Sequence, residues 1–341
     1  MPYNEIIRLG FRTLWRQKPL WLFGLLGTLL PALGAGLYFG GILVWQQSFL
    51  TQLMALTMNQ QPDYLSVMRI LTGGLRGLAG VWGALACIGL IGYVVNLVMR
   101  AATVTEASRA LAGEHCQSER GLAAGARKAL SFFVIDLLWW LPGVVLAIGA
   151  VAFVFVVLAG LVRGVNSQDP SGIAADFVGV FGLIFGSIGC LSLVGLLFVI
   201  ARGLLAPLMY QAAAQENASL GQAIRMGGRL ARAHLGPMFI FLLFLTGLGV
   251  ALSFSIQLFT TPLSGFWAFR WAAITENLAN GIPPAPPSGL EQTSFYLLGL
   301  FFGLATWLTS AVLQTLGLTM YAEIFRRLQA PAQTSHAGNG P

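Results

Sequence analysis

Six long apolar stretches constrain this chain more than any other feature of its sequence. The hydrocarbon core of a bilayer, about 30 Å thick, needs about 20 helical residues to cross it, and each stretch is long enough: 20–45, 77–99, 132–162, 176–201, 237–262 and 294–320. Only 9% of the 341 residues are charged, whereas soluble domains carry about 25%. The sequence therefore predicts an all-α integral membrane protein with six transmembrane helices. They would form one domain over 1–328, followed by a disordered tail at 329–341.

Basic residues fall mainly on one side of the predicted spans. If the N-terminus is cytoplasmic, 15 of the 19 Lys and Arg residues lie inside, and the outside loops at 46–76, 163–175 and 263–293 hold the other four. Cytoplasmic loops of membrane proteins are enriched in Lys and Arg, so both termini are predicted to be cytoplasmic. Because the basic residues flank apolar stretches, the net charge of +7 favours anionic lipid as a partner and does not indicate nucleic acid.

A short pattern precedes the first, third and fifth spans. It has a hydrophobic residue, Gly three positions later, and Arg two positions after the Gly: Ile7, Gly10 and Arg12; Leu122, Gly125 and Arg127; Ile224, Gly227 and Arg229. Each copy opens a segment with two spans, at 1–117, 118–218 and 219–328. The pattern predicts three parallel repeats, each a cytoplasmic amphipathic helix followed by a transmembrane hairpin. The three glycines are predicted to allow close packing within the repeats.

A second pattern, Glu-x-x-Arg-x-Leu, follows two spans, at Glu106–Leu111 and Glu323–Leu328. With the first pattern it resembles a broad group of bacterial and archaeal multi-pass proteins: the membrane domain of glycerophosphoryl diester phosphodiesterase and related families of unknown function. The resemblance implies a lipid-associated membrane module in a prokaryotic cell membrane. Enzymes of that group carry their catalytic residues in a separate soluble barrel, which this sequence does not match, so the resemblance implies no catalytic residue here.

Polar residues within the predicted spans are few. Asp136, near the cytoplasmic end of the third span, would need a partner to act as a proton carrier, and Arg127 and Lys128 are the nearest candidates in sequence. The other interpretation is a carboxylate near the headgroups that reaches water or pairs with an Arg. For Asn96 and Gln314 the sequence favours hydrogen bonds between helices over the alternative, a substrate site. No His or Cys spacing indicates a metal site, so the sequence predicts a non-enzymatic protein without metal or cofactor.

Two functions are consistent with these features. The first is a membrane module that organises anionic lipid or a partner, such as a membrane protein or an ATPase, through basic helices at the cytoplasmic face. Its predicted headgroup contacts are Arg8, Arg12, Arg16, Arg127, Arg225, Arg229 and Arg232. The alternative is a transporter or permease component for a lipid-like or apolar substrate, since such a cargo needs few charged groups.

Overall fold

The fold is known from a computed structural model that describes residues 3–58, 64–165, 170–214, 218–280 and 288–337. Eight helices account for nearly all of these residues: α1 (Tyr3–Arg16), α2 (Lys18–Met58), α3 (Tyr64–Leu111), α4 (Ser118–Val165), α5 (Pro170–Ala214), α6 (Leu220–Ala233), α7 (Leu235–Ala279) and α8 (Gly289–Ala337). No strand occurs in the described ranges. The predicted all-helical fold is therefore confirmed.

Six helices are long and apolar enough to cross a membrane. Within the described residues, the apolar lengths are Lys18–Tyr38, Met68–Leu111, Ser118–Leu146, Ser192–Ala214, Leu235–Leu258 and Gly289–Gln329. Side chains such as Leu90, Val199 and Val250 are more than 60% exposed along these helices, which suits a surface that faces lipid. Length and composition thus agree with the six predicted spans and are compatible with a multi-pass membrane protein.

The helices extend well beyond the predicted spans. The loops expected at 46–76 and 263–293 are largely helical, because α2 reaches Met58, α3 begins at Tyr64 and α7 continues to Ala279. Hydropathy marks only the part of a helix that is apolar, and a helix continues into polar sequence wherever its backbone hydrogen bonds remain intact. At the other end, α8 continues to Ala337; the predicted disorder at 329–341 stays a prediction.

The chain divides into two compact units. One unit contains Lys128–Leu242 and the chain from Phe325 onward, and the other contains Pro2–Arg127 and Leu243–Ile324. Their boundaries fall inside α4, α7 and α8, so each of these helices contributes to both units.

In the unit that contains α2 and α8, glycines bring these two helices into backbone contact. A Cβ atom at Gly36 would lie 2.7 Å from the carbonyl oxygen of Gly299, and one at Gly299 would lie 2.6 Å from the carbonyl oxygen of Gly36. Both distances are too short for any side chain. Nearby, the indole N–H of Trp307 donates to the carbonyl of Leu25 at 2.7 Å, so the crossing is stabilised by close packing and a direct hydrogen bond.

A proline in α2 explains why polar residues are needed at the contact with α3. Pro31 has no N–H, so it leaves the carbonyl of Gly27, one turn earlier, without its helical donor. The side-chain amide of Asn96 on α3 donates to that carbonyl at 2.8 Å and to the side-chain oxygen of Gln314 on α8 at 3.1 Å. The predicted interhelical hydrogen bond between Asn96 and Gln314 is confirmed. The other hydrogen bond of Asn96 satisfies the Gly27 carbonyl, which lipid could not do.

Candidate functional site

The two short helices, α1 and α6, each bury one narrow face. Buried residues recur every fourth position: Ile6, Gly10 and Leu14 in α1, and Ala223, Gly227 and Ala231 in α6. In α6 the helix start is fixed by reciprocal hydrogen bonds between Ser219 and Gln222, a capping box. Both helices therefore have one side against the protein and the other open.

The predicted headgroup contacts lie on the open side. Every one of these arginines is exposed: Arg8, Arg12, Arg16, Arg127, Arg225, Arg229 and Arg232. In α1 they alternate with large apolar side chains, since Phe11 is 47% and Trp15 is 81% exposed. Arginine next to tryptophan is the composition found where a helix meets the lipid headgroups, because the ring is amphipathic and the guanidinium binds phosphate.

The three glycines of the sequence pattern each approach a neighbouring helix closely. A Cβ atom at Gly227 would lie 2.6 Å from the backbone nitrogen of Met209 in α5. At Gly125 it would collide with the carbonyl oxygen of Val98 in α3, and at Gly10 it would lie 2.7 Å from Cγ of Met320 in α8. The first two neighbours are backbone atoms, which cannot move aside as a methionine side chain can.

The second copy of the pattern differs from the other two in its helix. α1 and α2 are separated at Gln17, and α6 and α7 are separated at His234, whereas α4 runs without a break from Ser118 to Val165. In α4 the surface segment and the span therefore belong to one helix.

Asp136 is buried between α4 and α5. Only 1% of its side chain is exposed, and its carboxylate accepts a hydrogen bond from the hydroxyl of Tyr210. The guanidinium of Arg202, also on α5, lies 3.6 Å from the same oxygen. The structure thus gives Asp136 two partners that are distant in sequence, Tyr210 and Arg202, neither of which sequence reasoning had proposed for it. Arg127, one candidate partner, donates to the carbonyl of Ala123 in its own helix.

The connection between α3 and α4 is held by a second buried carboxylate. Glu106 is 1% exposed and accepts hydrogen bonds from Arg109 at 2.7 Å and from the backbone N–H of Gln117 at 3.1 Å. Beside it, the thiol of Cys116 donates to the backbone carbonyl of Glu106, and the backbone N–H of Cys116 donates to the side-chain oxygen of Gln17. Burial raises the pKa of the Cys116 thiol to about 11; the Glu106 charge adds to the increase and Arg109 opposes it.

An apolar cavity of about 370 Å³ lies along α2 and α8, lined by Leu33, Gly36, Leu37, Thr293, Tyr296, Leu297, Leu300 and Gly303. It contains no charged group. The transporter alternative stays a prediction, because a cavity of this kind does not distinguish a transported molecule from a resident acyl chain.

Metal-ligating side chains do not cluster in the part of the chain that the structure describes. No three His, Cys, Asp or Glu side chains come together there as metal ligands.

No family model, curated protein or solved structure matches the chain. The resemblance to the glycerophosphoryl diester phosphodiesterase membrane domain therefore stays a prediction.

Substitution of Gly227 by alanine should destabilise the protein by about 1–3 kcal/mol, since the new methyl group would overlap the Met209 backbone. Gly228→Ala is the matched control: its Cβ would meet only the Met209 terminal methyl, at 3.9 Å, and alanine favours helix. Thermal unfolding of the purified protein in detergent measures both. Equal melting temperatures for the two variants would contradict the close approach.

The raised pKa of Cys116 predicts slow thiol chemistry at neutral pH. In a C87S/C190S protein, maleimide labelling at pH 8 should be roughly a hundredfold slower than for a thiol with the ordinary pKa of 9.0. The rate should keep rising as the pH approaches 11, because the thiolate forms only there. Glu106→Gln removes one charge that disfavours the thiolate and should shift the profile to lower pH. A plateau already at pH 9 would refute the raised pKa.

Proposed function

We propose that this protein is a non-enzymatic integral membrane module of a prokaryotic cell membrane that holds anionic lipid at its cytoplasmic face. The proposal depends on one observation: α1 and α6 are fixed to neighbouring helices by a buried stripe with glycine at its centre, while their arginines stay exposed. A helix fixed in this way presents its cationic side in a defined direction. Anionic headgroups, which bind guanidinium through paired hydrogen bonds, are the matching partner.

The number of exposed arginines on α1 and α6 supports binding of anionic lipid. Each Lys or Arg near an anionic leaflet contributes about 1 kcal/mol, and α1 and α6 carry three exposed arginines each. Trp15 adds an anchor at the interface between water and hydrocarbon. Six exposed arginines would therefore contribute on the order of 6 kcal/mol to the attraction by an anionic leaflet.

The same contacts support an organisation in three repeats. The glycine of each repeat lies against the last helix of the preceding repeat: Gly125 against α3 and Gly227 against α5. Gly10 of the first repeat lies against α8, which is the last helix of the third. In all three copies the arginine two residues after the glycine is exposed. In each repeat the glycine therefore packs against the last helix of another repeat, as expected if the three segments share an ancestral fold.

The orientation proposed here places both termini and the arginine-bearing helices in the cytoplasm. Its support is the distribution of charge, with 15 of the 19 basic residues on that side. Glu106, which joins the end of α3 to the start of α4 through Gln117, would then lie near the cytoplasmic membrane surface.

Removing charge from α1 should weaken retention of anionic lipid. The R8Q/R12Q protein should bind phosphatidylglycerol roughly thirtyfold more weakly than the unaltered chain, since two contributions of about 1 kcal/mol are lost. Native mass spectrometry of the purified protein, with phosphatidylglycerol or phosphatidylcholine added, measures the retained lipid. R69Q/R76Q is the matched control, because it removes two exposed arginines from the predicted outer side. Equal losses from both double variants would refute a specific role for α1.

Cysteine labelling tests the orientation. In a background with all three native cysteines replaced by serine, Glu114→Cys lies in the exposed connection between α3 and α4, and Asn280→Cys lies just after α7. An impermeant maleimide should label Cys at position 280 in intact cells and Cys at position 114 only in inverted membrane vesicles. The reverse pattern would place the arginine-bearing helices outside and exclude the proposed topology.

A further inference from the structure

Arg202 differs from the arginines of α1 and α6 in where it is held. It lies inside the apolar stretch Ser192–Ala214, and its side chain is 40% exposed, whereas its carboxylate partner Asp136 is 1% exposed. An arginine at such a position is costly in hydrocarbon unless it is paired or extends toward the headgroups. Arg202 is paired: one side of the guanidinium meets a buried charge, and the rest of the side chain is partly exposed.

The carboxylate behind Arg202 is fixed by its other contacts. The hydroxyl of Tyr210 donates to the same Asp136 oxygen that Arg202 approaches. The ring of Tyr210 stacks on Phe132, with the centroids 4.8 Å apart and the planes 16° from parallel. Phe132 and Asp136 lie one turn apart on α4, so a tyrosine from α5 joins both. This arrangement leaves Asp136 little freedom to follow a moving guanidinium.

The ion pair with Asp136 engages few of the hydrogen-bond donors of the Arg202 guanidinium. Arginine has five N–H donors, and the distance of 3.6 Å to Asp136 is beyond that of a good hydrogen bond. Among the described residues, no group accepts a hydrogen bond from Arg202. The donors are therefore available to an acceptor outside the protein, while the buried carboxylate holds the guanidinium near the surface.

We propose that Arg202 binds a phosphate group at the surface of α4 and α5, and that Asp136 is a positioning residue for it. Phosphate fits because two of its oxygens can accept parallel hydrogen bonds from the planar fork of guanidinium N–H donors. The phosphate comes either from an anionic lipid headgroup or from inorganic phosphate. With a lipid as its source, the inference rests on the proposed lipid association and adds a specific site to the general attraction by α1 and α6.

The test measures phosphate-dependent binding to the full-length protein. Native mass spectrometry with phosphatidylglycerol, with phosphatidylcholine, or with inorganic phosphate alone would compare the unaltered chain with R202Q, R202K and Y210F. R202Q should bind phosphatidylglycerol roughly tenfold more weakly, as expected when hydrogen bonds to a charged group are lost. R202K should recover part of that loss, because it restores the charge without the paired donors. If inorganic phosphate is the ligand, R202Q should lower phosphate binding in the lipid-free arm instead.

Substitution of Asp136 distinguishes a role in positioning Arg202 from a role in folding. D136N keeps an acceptor for Tyr210 but removes the charge that orients Arg202, so it should weaken phosphatidylglycerol binding at an unchanged melting temperature. Should D136N not fold, Y210F takes its place, because it frees the carboxylate and should also weaken binding. Full retention of both ligands by R202Q would overturn the site, as would a loss in R202Q that R202K does not relieve.

The two lipid proposals can fail separately. R8Q/R12Q and its α6 equivalent R225Q/R229Q leave Arg202 in place. If these variants bind lipid normally while R202Q does not, the general attraction fails and the Arg202 site stands. If they lose lipid while R202Q retains it, the Arg202 site fails and the proposed function stands.

Discussion

Backbone groups in a membrane have no water to bind, and the contacts between the helices of this protein are compatible with that constraint. Where Pro31 removes a helical donor from the carbonyl of Gly27, Asn96 of another helix supplies one. Threonines on α2, α3 and α8 return their hydroxyls to carbonyls of their own helices, as Thr28 does to Gly24 and Thr319 to Thr315. Polar side chains thus bond to backbone carbonyls, either within their own helix or between helices.

Close packing at glycine is a second feature that is compatible with a membrane environment. Lipid is as apolar as leucine, so helices gain little from burying large apolar side chains against each other. They gain from van der Waals contact at short distance, which glycine permits. Gly36 and Gly299 bring two backbones together within one unit, and Gly227 does the same for α6 and α5 in the other. The exposed leucines and valines along the helices then remain available for acyl chains.

Much of the fold could be predicted from the sequence, because hydropathy over about 20 residues reports directly on membrane crossing. The helix ends could not, since polar helix and polar loop have similar compositions; the extension of α2 to Met58 illustrates this. In the candidate site, the glycine and arginine positions could be selected from the sequence because they recur at a fixed spacing. The partners of Asp136 were not: Arg202 and Tyr210 lie 66 and 74 residues away, and only the packing of α4 on α5 brings them together. The hydrogen bond between Glu106 and Gln117 could not be predicted either. The Glu106 carboxylate accepts it from a backbone N–H, and every residue type except proline has one.

The unbroken course of α4 distinguishes it from α1 and α6. At Gln17 and at His234 the chain changes from one helix to the next, so α1 and α6 take their direction from their own packing contacts and not from the helices that follow them. From Ser118 to Pro142, α4 offers no such joint. Arg127 and Asp136 therefore belong to one continuous helix, nine residues apart in sequence. Of the three arginine-bearing segments, α4 alone continues into the apolar part of the chain without a break in the helix.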